Sequence, residues 1–144
     1  MNKAVRIWAS IVSLSIIAQV GLAAYGAFHA VKESDDKGSI GKNAVSDGFT
    51  AHSAFGYVIL LEALVLVLLA FAARRSGRPG RLRWSGIILG LIVVQILLAG
   101  LGDSVPWLGV LHGMNALAVA GVAGSFAGRE WAGYRGARAP APQP

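Results

Sequence analysis

Two of the three histidines, His52 and His112, stand near the start of apolar runs, and the third, His29, stands near the end of one. Carrying an imidazole into lipid without a partner costs free energy, so a histidine at membrane depth is a functional candidate by default. A neutral ring nitrogen is a good ligand for iron, copper or zinc. Two such rings at matched depth, facing each other from different helices, suit axial ligation of a planar iron macrocycle. Haem b is therefore the expected cofactor, and His52 and His112 its expected metal ligands. A flat ring packed on a helix needs small neighbours three or four residues away, and Gly56, Gly109 and Ala116 stand at those spacings. Gln19, Gln95 and Asn115 are the polar side chains expected to complete the site, the glutamines somewhat deeper than the histidines.

Other chemistries have less to build on. Cysteine is absent, which removes disulfides, thiolate metal sites and iron–sulfur clusters. No serine–histidine–acid set, glycine-rich phosphate loop or paired carboxylate is evident, so no catalytic residue is expected. A zinc or copper centre would require His29 to converge with His52 and His112. Glu62 falls near the expected midplane, where a carboxylate must be protonated or paired, and a proton-linked carrier built on it is a third reading.

The elements that must hold these residues are membrane spans. In 144 residues, 55% are hydrophobic and only 14% charged, too little polar surface for a soluble domain of this size. Four apolar stretches, about 7–28, 51–73, 84–101 and 105–127, are long enough or nearly so to cross a hydrocarbon core of roughly 30 Å. The fold expected over residues 1–132 is all-α, an integral membrane four-helix bundle, with 133–144 as a disordered tail rich in Gly, Ala and Pro. Ten basic residues, from Lys3 and Arg6 through the Arg74–Arg83 loop to Arg138, face one side against Glu130 alone. By the positive-inside rule that side is the cytoplasm, both termini lie there, and the Ala30–Thr50 loop is outside. The net charge of +6 thus reports topology in the cell membrane rather than nucleic-acid binding. A cleaved signal peptide also fits the first twenty-odd residues, but the repeat described next requires the first span as a partner.

Gln19, Leu22, Ala23 and Gly26 recur in the third span as Gln95, Leu98, Ala99 and Gly102, and each set precedes a helix carrying a histidine. The bundle is expected to be two copies of one helical hairpin, differing in the length of the outer loop. Asp47 or Thr50 is expected to cap the second span and Ser104 the fourth, with Pro106 in its first turn. Phe49 and Trp107 belong to the outer aromatic belt, and Trp8, Trp84 and Trp131 to the inner one.

The runs H-S-A-F-G-Y from His52, Q-I-L-L-A-G-L-G from Gln95 and L-H-G-M-N-A-L from Leu111 resemble a family of small bacterial four-span membrane proteins of unknown function. The same layout is similar to one half of haem A synthase, over roughly residues 5 to 130. That resemblance implies haem held by histidines on the second and fourth helices near the outer face, at positions matching His52 and His112. The enzyme family has a glutamate three residues before the second-helix histidine and an arginine right after it, where this chain has Phe49 and Ser53. Haem binding for electron transfer or haem handling is therefore the expectation, more than catalysis. A homodimer would reproduce the eight-helix layout of the enzyme. The contrasting reading is a cofactor-free structural or accessory subunit of a membrane complex, in which the same residues serve helix packing.

Overall fold

The computed structural model describes residues 2–38, 42–75, 78–102 and 104–137. Four helices account for nearly all of them: α1 (Asn2–Lys37), α2 (Lys42–Ala72), α3 (Arg81–Gly102) and α4 (Pro106–Gly136). All four are long and apolar enough to cross a membrane. In hydrocarbon every backbone N–H and C=O must find its partner within the chain, and a helix achieves this locally. Large apolar side chains cover the outside, among them Leu14, Ile17, Leu68 and Leu117, each more than 60% exposed. Such a surface suits lipid and not water.

The helices run up and down around a square. α1 borders α2 and α4, α3 borders the same two, and the diagonal pairs α1/α3 and α2/α4 do not approach at backbone level among the described residues. The inward seams repeat. Val5, Ala9, Val12 and Ile16 of α1 are buried at the register of Arg81, Ser85, Ile88 and Ile92 of α3. Ile59, Ala63, Leu66 and Ala70 of α2 likewise match Val119, Ala123, Phe126 and Glu130 of α4. Steps alternating between four and three residues keep one stripe of each helix on the bundle axis. Continued toward the acidic end, these seams reach Gln19 and Gln95, and His52 and His112. The expected bundle of two repeated hairpins is what the chain forms.

Three local expectations give way. The Ala30–Thr50 segment is not a long loop, because α1 runs on to Lys37 and α2 begins at Lys42. The charged stretch from Lys32 has good helix formers and needs no apolar surroundings, and Gly38 (φ +70°) ends α1 in the left-handed conformation that glycine tolerates. At 36 residues α1 is about 54 Å long, well beyond the hydrocarbon core. Consequently Asp47 and Thr50 lie inside α2 and cap nothing; the Thr50 hydroxyl donates to the Ser46 carbonyl at 2.8 Å. Val105, not Ser104, occupies the position before α4, with Pro106 in the first turn as expected. At the other end, residues 133–136 are helical and belong to α4, while 138–144 lie outside the described residues, as do Gly77 and Asp103.

Near the acidic end α1 and α2 cross through Gly26 and Gly48. A Cβ added at Gly48 would stand 2.8 Å from the Gly26 carbonyl oxygen, and one at Gly26 would stand 2.9 Å from the Phe49 ring. At the basic end the seam of the second hairpin carries charge where the first carries Val5 and Ala70. The Arg81 Nε donates to Glu130 Oε1 at 2.9 Å, a second nitrogen of the guanidinium reaches Oε2, and the third donates to Asn2 Oδ1 at 2.6 Å.

Two stability measurements in detergent follow. Gly48→Ala should cost about 1–3 kcal/mol through the backbone approach it obstructs, whereas Gly86→Ala, with open space around the new methyl, should be neutral or slightly stabilising. Arg81→Val or Glu130→Ala alone should cost about 3–5 kcal/mol by leaving its partner buried and unpaired. The double variant, which restores the residues of the first hairpin, should recover most of that loss.

Candidate cofactor site

His52 on α2 and His112 on α4 come from diagonal helices and meet on the bundle axis. Their ring centroids are 6.3 Å apart and their planes are inclined at 66°. Each ring is tied to the preceding helix by the same bond. His52 Nδ1 lies 3.2 Å from the Gln19 carbonyl oxygen, and His112 Nδ1 lies 3.0 Å from that of Gln95. A carbonyl can only accept, so in both neutral rings Nδ1 carries the proton and Nε2 keeps its lone pair. No hydrogen bond among the described residues engages either Nε2. Holding one nitrogen on a backbone carbonyl while the other stays basic is how proteins orient histidine ligands.

The spacing can be tested against coordination. A metal bound at about 2.0–2.1 Å from each nitrogen, with a ring radius of about 1.1 Å added on either side, needs centroids about 6.3 Å apart. The observed centroid separation of 6.3 Å equals that distance.

The amides complete the two halves differently. Gln19 Nε2 donates to the His52 carbonyl at 2.8 Å, and a Cβ at Gly56 would stand 3.3 Å from that nitrogen. Gly56 thus gives the Gln19 amide its way onto α2, a closer role than seating a flat ring. In the second hairpin Ala116 takes the place of Gly56, and the Gln95 amide turns instead to Asn115. Asn115 Nδ2 donates to Gln95 Oε1 at 2.6 Å and to the Leu91 carbonyl at 2.9 Å. Phe55 stands at the register of Asn115 in the first hairpin, so Gln19 Oε1 is buried with no donor. That orphaned acceptor sits beside the histidine pair. Both glutamines are level with the rings rather than deeper. Gly109 is exposed and lies against Gly102, whose added Cβ would be 3.7 Å from the Gly109 nitrogen. It serves the crossing of α3 and α4.

His29 stays apart. It stacks on Tyr25 at 5.9 Å, close over Gly48, and no group of three metal-binding side chains exists among the described residues. The three-histidine centre is not formed. Glu62 lies ten residues, about 15 Å, down α2 from His52. Its Oε1 accepts from the Ser15 hydroxyl at 3.0 Å, its Oε2 is buried without a donor, and its carbonyl accepts from Trp8 Nε1 at 2.8 Å. Phe49, expected at the interface, is half-buried with its ring edge-on to His52 at 5.9 Å. Its spacing of three from His52 was the signal that it shares that face.

A double-mutant cycle on Gln95→Ala and Asn115→Ala, read by unfolding in detergent, should give a coupling of about 0.5–1.5 kcal/mol, in the range of interhelical hydrogen bonds within membranes.

Residues 42–102, covering α2, the basic turn and α3, match the model of a family described as a family of unknown function (DUF6220). No curated protein and no solved structure matches the chain.

Proposed function

We propose that this chain is a bis-histidine haem protein of the cell membrane, working in electron transfer or haem handling. The observation that carries the reading is the facing pair of imidazoles, 6.3 Å apart, each with Nδ1 committed to a backbone carbonyl. The similarity of the layout to one half of haem A synthase points the same way by analogy.

In this reading the Nε2 atoms of His52 and His112 would hold the haem iron. The Gln19 and Gln95 carbonyls hold the rings at a fixed rotation and raise the basicity of the coordinating nitrogens. Gln19 Oε1 offers an acceptor beside the axis, and Phe49 shields the His52 ring from the interface. Bound haem b supplies a one-electron iron couple. Two neutral nitrogen ligands would set the potential of that couple together with the burial of the site. The concentration of arginine at the opposite end supports cytoplasmic termini and histidines in the outer leaflet.

A cofactor-free accessory subunit is the second reading, favoured by the way the same Nδ1 and amide groups tie neighbouring helices together. The two readings separate in one experiment. Protein expressed with haem supplied and purified in detergent should show a low-spin b-type signal in reduced-minus-oxidised spectra. His52→Ala and His112→Ala should each abolish the low-spin form. A colourless preparation, or a signal unchanged in both variants, would overturn the haem reading.

A further inference from the structure

At the basic end, α1, α3, α4 and the turn before α3 enclose a cavity of about 300 Å³, lined among others by Asn2, Arg6, Arg78, Arg81, Glu130 and Tyr134. Its charges do not balance. Arg81 and Glu130 neutralise each other in the buried pair, leaving Arg6 and Arg78 with no further acid among the described residues that line it. Arg78 donates to the Arg129 carbonyl at 3.1 Å, and its guanidinium lies over Gly133, where a Cβ would collide with it.

Arg6 is the unusual member. It is only 9% exposed, its guanidinium stacks 3.7 Å from the Tyr134 ring centroid and 4.7 Å from that of Trp131, and its Nε is buried with no acceptor. A guanidinium does not shed its proton, so a buried donor of this kind calls for an anion. Trp131 and Tyr134 beside the cavity are of the kind that favours the headgroup level. Paired arginines suit the geometry of phosphate oxygens, and basic pockets between spans at this depth take phospholipid headgroups.

We infer that this cavity is a binding site for the phosphate of an anionic phospholipid, held by Arg6 from α1 and Arg78 from the turn, with the Arg81–Glu130 pair as its rigid floor. The first hairpin has no counterpart of that floor, since Val5 and Ala70 stand at its register. The site is separate from the histidine pair and does not depend on the haem reading.

The test uses the full chain in uncharged detergent micelles, titrated separately with phosphatidylglycerol, phosphatidylcholine and inorganic phosphate, and read by native mass spectrometry. Phosphatidylglycerol should bind saturably, one per chain, with phosphatidylcholine much weaker. Arg6→Gln and Arg78→Gln should each weaken it about fivefold or more, while Arg74→Gln on the exposed start of the turn should not. Arg78 is exposed, so its variant keeps the test valid if Arg6→Gln misfolds. Equal binding of both lipids, equal loss in Arg74→Gln, or no saturable binding would overturn the proposal. So would inorganic phosphate binding as tightly as phosphatidylglycerol, which would make this a free-phosphate site.

Discussion

A polar group carried into hydrocarbon has to find its partner inside the bundle, and in this chain that requirement is met twice by one bond, from a histidine Nδ1 to the carbonyl of a glutamine on the preceding helix. The bond sets the register of α2 on α1 and of α4 on α3. It also fixes the rotation of both rings, so that two imidazoles from diagonal helices arrive on the axis with their Nε2 atoms uncommitted. The seams below them are mainly apolar and carry their own fixed points, the Ser15–Glu62 bond between α1 and α2 and the Arg81–Glu130 pair between α3 and α4, and the histidine bonds fix the register at the other end.

The two hairpins have the same backbone plan with different side-chain solutions. Where the first has Gly56, the second has Ala116, and the glutamine amide accordingly crosses to α2 in one half and stays with Asn115 in the other. Where the first has Val5 and Ala70, the second has a buried ion pair. Duplication brings the two histidines to equivalent positions on diagonal helices. Divergence then makes the two ends chemically different, with the histidines at one end of the bundle and the arginine cavity at the other. The long helical extension of α1 and α2 projects beyond the membrane from the histidine end alone.

Much of this was legible in the residues. Apolar runs announced four spans, and the Gln-x-x-Leu-Ala-x-x-Gly repeat announced the hairpin pair, because the positions it marks are those that face the neighbouring helix. Matched histidine depth followed from counting turns. The missed features share a cause, which is dependence on contacts distant in sequence. Arg81 and Glu130 looked like two of many topology charges, and nothing local shows that they meet. Gly56 fits a seat for a flat ring in the sequence, because a glycine's small size does not say which group comes close. The charged segment after His29 looks like a loop in the sequence because its polarity ends the span, although polarity alone does not end a helix.

The central claim is that both rings are pinned through Nδ1 and lie against each other on the axis with Nε2 unengaged among the described residues. It is tested most directly by nitrogen-15 NMR of histidine-labelled protein in detergent, prepared without haem. The account predicts Nδ1-protonated tautomers for both His52 and His112, with cross-relaxation between protons of the two rings. Nε2-protonated rings, or rings with no contact between them, would contradict it.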